Sequence, residues 1–307
     1  MNMKILIVGN KFFGYTERVC EHLGTYNQVD TIYIYQPCFR DRILKKLFKI
    51  GFPTKKYYKN QLQNLSVEYD RILVFGGGAP TELLVDIKNR YQQCKLYLYL
   101  SADMESYRFT DTYINLFDKV MTYSLNDAKA YNFIYQPWFF THKKITAKSI
   151  GISFIGTIHD SRLKTLINVT KIKNTSIFYY IYTDKLAFCK QAFKWMVLRN
   201  YIHFRGLPYE NYIEVLSQSK ATLDLPEKRQ TNITTRPIEA LGTQTKIITS
   251  NRYIVNYDFY KKENIFILTP ESTNQQILEW LDIPYTQLDE SIVSHYSIEN
   301  WCNDVLC

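Results

Sequence analysis

Short apolar runs alternate with longer mixed segments along both halves of the chain. In the first half Met3–Val8, Asp70–Phe75 and Lys95–Leu100 are mainly apolar, and the second half repeats the pattern from Ser149–Ile155 to Ala221–Leu225. Apolar runs of about four to eight residues are typical of strands buried on both faces of a parallel sheet. Strands that alternate with helices predict an α/β chain, and the restart predicts two doubly wound units.

Length and composition agree with this prediction. The chain has 307 residues, 46% of them hydrophobic, which suits two domains of about 150 residues with buried cores. No apolar run approaches the roughly 18 residues of a membrane span, and the start M-N-M-K-I-L-I-V-G-N is interrupted too soon for a signal peptide. We therefore expect a cytoplasmic protein. The cysteines and histidines show no C-x-x-C pair or metal-ligand spacing, so we expect no disulfide framework and no structural zinc.

The net charge of +9 is concentrated in one segment. Residues 40–59 contain eight Lys or Arg side chains against the single acid Asp41. At helical spacing the apolar residues of this segment share one side and the basic residues surround the rest. Such a helix can lie on an anionic membrane, pack on the core with a solvated basic face, or neutralise nucleic-acid phosphates. The contacts expected for a membrane are Lys45, Lys46 and Lys49.

The segment Arg229–Asn251 connects two predicted strands through a short predicted helix. Thr234 or Thr235 suits the N-cap, Pro237 suits the first turn, and Gly242 can end the helix. A helix that begins at the carboxyl end of a strand presents free backbone N–H groups and the positive end of its dipole. This arrangement predicts an anion site.

Two side chains of this helix fit an anionic sugar ligand. Arg236 can donate a planar fork to a phosphate, and Glu239, one turn further on, can accept hydrogen bonds from sugar hydroxyls such as those of a ribose. The alternative is a solvated i,i+3 ion pair on an ordinary helix.

Residues 234–249, T-T-R-P-I-E-A-L-G-T-Q-T-K-I-I-T, resemble the donor-site segment of GT-B glycosyltransferases. In that family an Arg and a Glu spaced like Arg236 and Glu239 hold the diphosphate and ribose of a nucleotide sugar. The patterns most like it are those of bacterial surface-polysaccharide sugar transferases of the group-1 type and, more loosely, of phage DNA β-glucosyltransferase. The resemblance implies an α/β fold of two Rossmann-like doubly wound domains that face a cleft.

The same resemblance implies how the chain is divided. The stretch 132–140, where Pro137 excludes a continuous helix, corresponds to the interdomain linker of the family, and Thr141–Lys148 corresponds to the hinge. We expect an acceptor-binding N-terminal domain at residues 1–140 and a nucleotide-sugar-binding domain at 141–290. A terminal helix within 291–307 is expected to pack back towards the N-terminal domain, as is common in GT-B folds.

The resemblance implies further donor contacts. F-I-G-x-x-x-x-x-R at residues 154–162 matches the first strand-to-helix loop of the GT-B donor domain, where glycine lets the phosphates approach and the basic residue neutralises them. The family loop that corresponds to G-L-P at residues 206–208 lies against the donor base. A histidine within the first loop either contacts phosphate or lies on the surface. Besides the helix at 234–239, the expected contacts are Gly156, Thr157, His159, Arg162, Leu207, Pro208 and Arg229.

A candidate base follows the apolar run Lys95–Leu100. Asp103 comes just after this predicted strand, so its carboxylate is placed to take a proton from an attacking hydroxyl, with Glu105 as the second choice. The segment K-L-Y-L-Y-L-S-A-D-M also resembles the strand that carries the base aspartate in phage DNA β-glucosyltransferase. The alternative is that Asp103 only caps a helix.

Glycines at the same predicted edge indicate the acceptor side. Three consecutive glycines end the strand at Asp70–Phe75, and another follows the first strand. Glycine permits close backbone approach to a ligand, and ligands of open α/β sheets bind at this edge. The loop after the first strand lacks both the dinucleotide fingerprint and the Walker pattern, so its glycines lie beside an acceptor or only allow a turn. The residues are Gly14, Gly76, Gly77 and Gly78.

These observations predict a hexosyltransferase-type enzyme that moves a sugar from a nucleotide-diphosphate sugar to a hydroxyl of a glycan or lipid-linked acceptor. The pathway expected is surface-polysaccharide, capsule or lipopolysaccharide synthesis, on the inner face of the cell membrane. The chain has no D-x-D triplet of the kind that metal-dependent transferases use, so we expect no cofactor and no metal. A DNA-modifying glucosyltransferase, a nucleotide-sugar epimerase and a catalytically silent nucleotide-sugar binder are the alternatives, and nucleic acid ranks behind a glycan as partner.

Overall fold

The computed structural model describes residues 2–10, 14–34, 58, 61–66, 68–107, 109–158, 160–226 and 232–307. The chain forms two compact units, which are Met1–Pro137 with Ile298–Cys307, and Trp138–Ser297. The division between them therefore lies within the stretch 132–140. Five of the residues expected to bind a ligand or a membrane are outside the described residues, namely Lys45, Lys46, Lys49, His159 and Arg229.

The first unit is a parallel sheet with flanking helices. Its described strands are β1 (Lys4–Gly9), β2 (Gln28–Tyr33), β3 (Arg71–Phe75), β4 (Lys95–Leu100), β5 (Lys119–Thr122) and β6 (Ile134–Tyr135). Its described helices are α1 (Tyr15–Gly24), α2 (Thr81–Arg90), α3 (Met104–Tyr107), α4 (Asp111–Ile114) and α5 (Leu125–Tyr131).

The second unit repeats this architecture, and its described strands are β7 (Ile150–Thr157), β8 (Ile177–Tyr182), β9 (Ile202–His203), β10 (Ser219–Asp224), β11 (Lys246–Thr249) and β12 (Ile265–Ile267). Its described helices are α6 (Asp160–Val169), α7 (Lys185–Trp195), α8 (Tyr209–Gln218), α9 (Thr235–Gly242), α10 (Asn274–Asp282) and α11 (Glu290–His295), with 3₁₀ turns at Met196–Tyr201 and Arg252–Asn256. Helix α12 (Ile298–Leu306) belongs to the first unit.

Both sheets are parallel throughout the described residues, but their strand orders differ. The first has the order β2-β1-β3-β4-β5-β6, and the second β12-β11-β10-β7-β8-β9. Each order reverses direction at one pair of neighbouring strands, β1 with β3 in the first sheet and β7 with β10 in the second. In doubly wound folds a ligand binds outside the carboxyl ends of the strands at this switch point.

The core of the first unit follows the two-residue period of its strands. Leu6, Ile72 and Leu98 lie on one sheet face with the packed helices, while Phe75 and Tyr99 point to the other face. Helix α12 covers that second face through an indole, whose ring centroid lies 5.6 Å from that of Phe75 and 4.9 Å from that of Tyr99. The indole belongs to Trp301.

The last turn of α12 is held by two cations of the sheet. Arg71 Nε donates to the Leu306 carbonyl at 3.2 Å, and Lys119 Nζ donates to the Asp304 carbonyl at 2.9 Å. The carbonyls of a final helical turn lack intrahelical partners and carry the negative end of the dipole, so cations stabilise them.

Helix α9 has the predicted N-cap. Gly242 was expected to end the helix, but its lack of a side chain serves close packing instead. Gly242 remains helical, and a Cβ atom there would lie 2.5 Å from the His142 carbonyl oxygen and 2.8 Å from the Phe140 ring. Lys144 N also donates to the Gly242 carbonyl at 3.0 Å. The glycine therefore lets the segment 140–144 pass directly against the helix.

Candidate functional site

Arg236 connects the two strands at the switch point of the second sheet. Its Nη2 donates to the Ile155 carbonyl of β7 at 2.7 Å, and its Nη1 lies 3.2 Å from Asp224 Oδ1 at the end of β10. The guanidinium also lies over the Phe154 ring, 5.4 Å from its centroid, and only 15% of the side chain is exposed. These contacts fix the planar group at the edge where a ligand of this fold binds.

Asp224 orients Arg236 and was not predicted from the sequence. Its side chain is 1% exposed, Thr234 Oγ1 donates to its Oδ1 at 2.8 Å, and Thr249 Oγ1 donates to its Oδ2 at 3.0 Å. The carboxylate at the end of β10 thus contacts side chains from β11 and from the start of α9. A signal was present, because an acid inside the apolar run Ala221–Leu225 needs a buried partner.

The predicted loop after β7 lies beside the same guanidinium. A Cβ atom on Gly156 would lie 3.0 Å from Arg236 Nη2, so glycine leaves room there. Arg162 bends back on this loop, and its Nη1 donates to the Thr157 carbonyl at 3.0 Å. The structure therefore brings Gly156 next to Arg236, and it places Arg162 in the first turn of α6 with its side chain against the loop.

Glu239 lies in a chain of hydrogen bonds inside the second unit. It is fully buried, and its Oε1 accepts a hydrogen bond from the Tyr209 hydroxyl, which also contacts Thr141 Oγ1. Thr141 Oγ1 in turn lies 2.8 Å from His142 Nδ1. Burial and the Glu239 carboxylate both raise the pKa of Tyr209, so the phenol stays protonated and donates. A ribose can contact Glu239 only if a neighbouring side chain moves, and that contact stays a prediction.

The start of α9 has the predicted capping geometry. Thr234 Oγ1 accepts from Arg236 N at 3.3 Å while it donates to Asp224, and Thr235 is the first helical residue. The other predicted donor residues lie before α8, where Leu207 is half-buried and Pro208 is exposed at the N-cap position.

In the first unit Asp103 lies just after β4, as predicted, and a tyrosine positions it. Tyr123 OH donates to Asp103 Oδ1 at 3.2 Å, and burial and the Asp103 carboxylate raise the pKa of Tyr123. Glu105 is exposed in the first turn of α3. A second carboxylate caps this turn, because Asp127 Oδ2 accepts from Met104 N at 3.0 Å. The Met104 N–H group therefore has a hydrogen-bond acceptor that is not the side chain of Asp103.

The glycines after β3 form a turn that hydrogen bonds from a tyrosine and a serine hold. Gly76, Gly77 and Gly78 have φ angles of 93°, 66° and 79°, a region that favours glycine. Tyr107 OH donates to the Gly76 carbonyl and lies 3.0 Å from Ser101 Oγ, which itself donates to that carbonyl at 3.2 Å. The turn is thereby tied to the loop that carries Asp103.

Gly14 lies at the switch point of the first sheet. It precedes α1 with φ 78°, and Arg18 Nη1 donates to its carbonyl at 2.9 Å. Like the turn at residues 76–78, it follows a switch-point strand, here β1. The predicted acceptor-side glycines thus all lie at the carboxyl edge of one sheet.

The described part of the chain lacks two features, a metal-binding cluster and a membrane-spanning helix. No group of three or more His, Cys, Asp or Glu side chains there is arranged to hold a metal ion. No helix there is long and apolar enough to cross a membrane.

Known structures resemble this chain over nearly its full length. HepE of Anabaena, solved in complex with UDP and glucose, has a TM-score of 0.64 at 12% identity, with 99% of this chain and 98% of that chain covered. An α-glucosyltransferase in complex with UDP and a 13-mer DNA has a TM-score of 0.58 at 12% identity, covering 99% and 95%. The DNA-modifying β-glucosyltransferase has a TM-score of 0.50 at 14% identity, also covering 99% and 95%.

No protein-family model and no curated protein matches the chain. At these identities the structural likeness concerns the fold. It confirms the predicted α/β class and the predicted resemblance to GT-B glycosyltransferases at that level. The chain has the fold of GT-B glycosyltransferases, with two parallel doubly wound units.

Proposed function

We propose that this protein is a glycosyltransferase that uses a nucleotide-diphosphate sugar as donor. The observation that carries the proposal is the bridge by Arg236 from the Ile155 carbonyl to Asp224, across the switch-point strands β7 and β10. Structural neighbours that contain UDP, glucose or both support the same class of donor.

In this proposal the second unit stabilises the departing diphosphate. Each terminal nitrogen of Arg236 carries two N–H groups and uses one for the protein, so the other is available to a phosphate oxygen. The N–H groups at the start of α9 add a positive dipole end, and Arg162 in the first turn of α6 adds a second cation. Fixed donors aimed at developing charge are an effective form of catalysis. We propose that they make a divalent cation unnecessary.

The first unit supplies the base. Asp103 would take the proton of the attacking hydroxyl while the bond from the sugar to the diphosphate breaks, and Tyr123 would hold the carboxylate in place. Direct displacement assisted by a base inverts the configuration of the sugar carbon. We therefore propose an inverting transfer of a hexose.

The proposed acceptor is a hydroxyl of a glycan or lipid-linked sugar in surface-polysaccharide or lipopolysaccharide synthesis. Support comes from the basic and apolar segment 40–59, which suits an anionic membrane on the inner face of the cell. Charge reversal at Lys45, Lys46 and Lys49 should then weaken vesicle binding without slowing transfer to a soluble acceptor.

A turnover assay tests the proposal. Purified protein is given UDP-, dTDP-, GDP-, ADP- or CMP-sugars with a panel of glycan and lipid-linked acceptors, and nucleotide release and product are measured. We expect acceptor-dependent release with one donor, unchanged in EDTA. Loss of activity in EDTA that manganese restores would contradict metal independence. Conversion of the donor to an isomer without acceptor would identify an epimerase instead.

A DNA-modifying glucosyltransferase is the second candidate. The observations that favour it are the DNA-bound α-glucosyltransferase neighbour and the net charge of +9. Its acceptor would need a free hydroxyl on a base, so duplex DNA with hydroxymethylated bases is the appropriate probe. Sugar incorporation into that DNA, with salt-sensitive duplex binding, would select this candidate over the glycan acceptor.

A further inference from the structure

Helix α7 and the following 3₁₀ turn carry a cluster of exposed apolar side chains. Leu186 and Phe193 are 66% and 87% exposed, and Met196 and Val197 are 54% and 65% exposed. Six of the fourteen exposed large hydrophobic residues in the described part of the chain lie between residues 182 and 204. Scattered exposed apolar residues are ordinary, but a concentration of them in one helix and the turn that follows it indicates an interaction surface.

The helix is anchored by its opposite side, so this exposure is a property of the folded unit. Trp195 and Leu198 are buried in the core of the second unit, and Phe188 packs against the same cluster. Asp184 caps the helix by accepting from Ala187 N at 2.9 Å. Leu186 and Phe193 are seven residues apart and therefore lie on one face, turned away from that core.

Basic residues flank the exposed apolar face. Residues 185–205 contain five Lys or Arg and no Asp or Glu. At 100° per residue Lys190 and Lys194 fall on one side of the Leu186–Phe193 line and Lys185 falls on the other. All three lysines are exposed. Lysines can extend to lipid headgroups while apolar side chains between them enter the acyl boundary.

We propose that residues 185–199 form a docking surface for an anionic lipid bilayer. The charge of the face requires an anionic partner. The mixture of aliphatic Leu, Met and Val with Phe favours lipid over a nucleic acid, whose bases are recognised by stacking on aromatic rings. The surface lies in the second unit and consists of other residues than the basic segment 40–59. It does not depend on the proposed sugar transfer.

Vesicle sedimentation with the full-length protein tests the surface. The probes are phosphatidylcholine vesicles with and without phosphatidylglycerol, at low and high salt. We expect binding only to the anionic vesicles and weakening with salt. Removing or reversing surface charges alters such binding by about fivefold per charge, so K190E/K194E should weaken it at least tenfold. F193S/V197S should weaken it comparably through lost apolar insertion.

Matched controls separate this surface from general effects. Y253S/V255S removes exposed apolar groups elsewhere in the second unit, and K261E/K262E reverses two exposed charges there. Both should bind like wild type, and all variants should keep its melting temperature. K45E/K46E/K49E serves as a comparison for the other basic segment.

The proposal would be overturned if K190E/K194E and F193S/V197S both bound anionic vesicles as tightly as wild type. It would also be overturned if the wild type did not bind anionic vesicles. A self-associated protein that F193S/V197S converts to monomer without effect on vesicles would assign the surface to a second copy of the chain. Loss of duplex-DNA binding in K190E/K194E with vesicle binding intact would assign it to nucleic acid. Nucleotide-induced stabilisation is a separate readout, so failure here is distinguishable from failure of the proposed donor site.

Discussion

At the scale of single residues, the donor-site proposal depends on the ion pair between Arg236 and Asp224. A buried carboxylate that also accepts from Thr234 and Thr249 is well satisfied, and it fixes Arg236 in one orientation. The pairing partly neutralises the guanidinium, so its remaining N–H donors matter as much as its charge.

Removing one member of this pair should destabilise the protein more than removing both. R236M leaves Asp224 as an uncompensated buried charge, which costs about 3–5 kcal/mol, whereas D224N/R236M removes both charges and should cost less. Urea unfolding of the second unit measures the difference. R252M, which removes an exposed arginine of the same unit, serves as control. A double variant as unstable as the sum of its single variants would argue against the pair.

Asp103 should matter for turnover and not for stability. D103N should lower kcat by about 10²–10⁴-fold through loss of the base, with little change in KM or melting temperature. The exposed neighbour provides the matched control, so E105Q should keep near wild-type kcat. The reverse pattern would assign the base to Glu105, and full activity in both variants would favour a mechanism without a base.

Single-residue contacts were the least predictable feature of the site. Arg236 and Thr234 follow from a short helix after a predicted strand, so local sequence locates them. Gly156 was located by the resemblance of its loop to the GT-B donor domain. Asp224 and Tyr209 were missed, because their roles arise from partners in α9, across distances in sequence that a local pattern does not report.

At the scale of elements, helix α12 completes the first unit. Its indole at Trp301 fills the sheet face formed by Phe75 and Tyr99, and cations on the sheet hold its last turn. A terminal helix within 291–307 was expected from the resemblance to GT-B folds, and the contacts of Trp301 and of the sheet cations account for its place in the first unit.

Truncating that indole should therefore destabilise the first unit. W301A removes a fully buried aromatic side chain, for which the expected cost is about 3–5 kcal/mol of unfolding free energy. N303A, on the exposed side of the same helix, should cost far less. Chemical denaturation followed by circular dichroism gives both values, and equal effects would mean that α12 does not pack as described.

Strand prediction succeeded where strands are buried on both faces. Lys95–Leu100 has the predicted limits and Asp70–Phe75 differs from β3 by one residue, because continuous apolar runs leave little choice. β2 (Gln28–Tyr33) was less predictable, because its polar start lacks a continuous apolar run and is fixed by its pairing in register with β1. α10 was not predicted, although Thr273 and Gln276 form a capping box whose pattern the sequence contains.

At the scale of the whole molecule, one buried and one half-buried lysine make the stability of the second unit depend on pH. Lys246 Nζ donates to the Ile283 carbonyl at 2.8 Å and lies 3.9 Å from the Trp280 ring centroid, and Lys148 Nζ donates to the Ser217 and Thr243 carbonyls. Burial lowers the pKa of each lysine from 10.5 to about 8.

The sign of the effect follows from proton binding. Between pH 8 and 10.5 the unfolded chain keeps a proton on Lys246 that the folded chain has lost, so this lysine makes stability rise with pH. The unfolding free energy of wild type minus that of K246M should therefore rise with pH over that interval. K261M, which removes an exposed lysine of the same unit, serves as the control. A constant difference for K246M would contradict the lowered pKa.

The fold of the whole chain could be predicted from its sequence in more detail than its substrates could. Alternating strands and helices predicted two doubly wound units, and the structure has two parallel sheets with the strand orders of such folds. The identities of the sugar, the nucleotide and the acceptor depend on contacts between side chains and a ligand. One fold hosts many different substrates and activities, so the fold does not identify them.

The donor site is tested most directly by thermal shift with UDP, GDP, dTDP, ADP and CMP, followed by their sugars. A ligand that binds only the folded state raises the melting temperature. We predict that one nucleoside diphosphate does so for wild type and R252M. D224N/R236M should show no shift from its own melting temperature. No response of the well-folded wild type to any of them, or an equal shift in D224N/R236M, would contradict a nucleotide-sugar site built on Arg236.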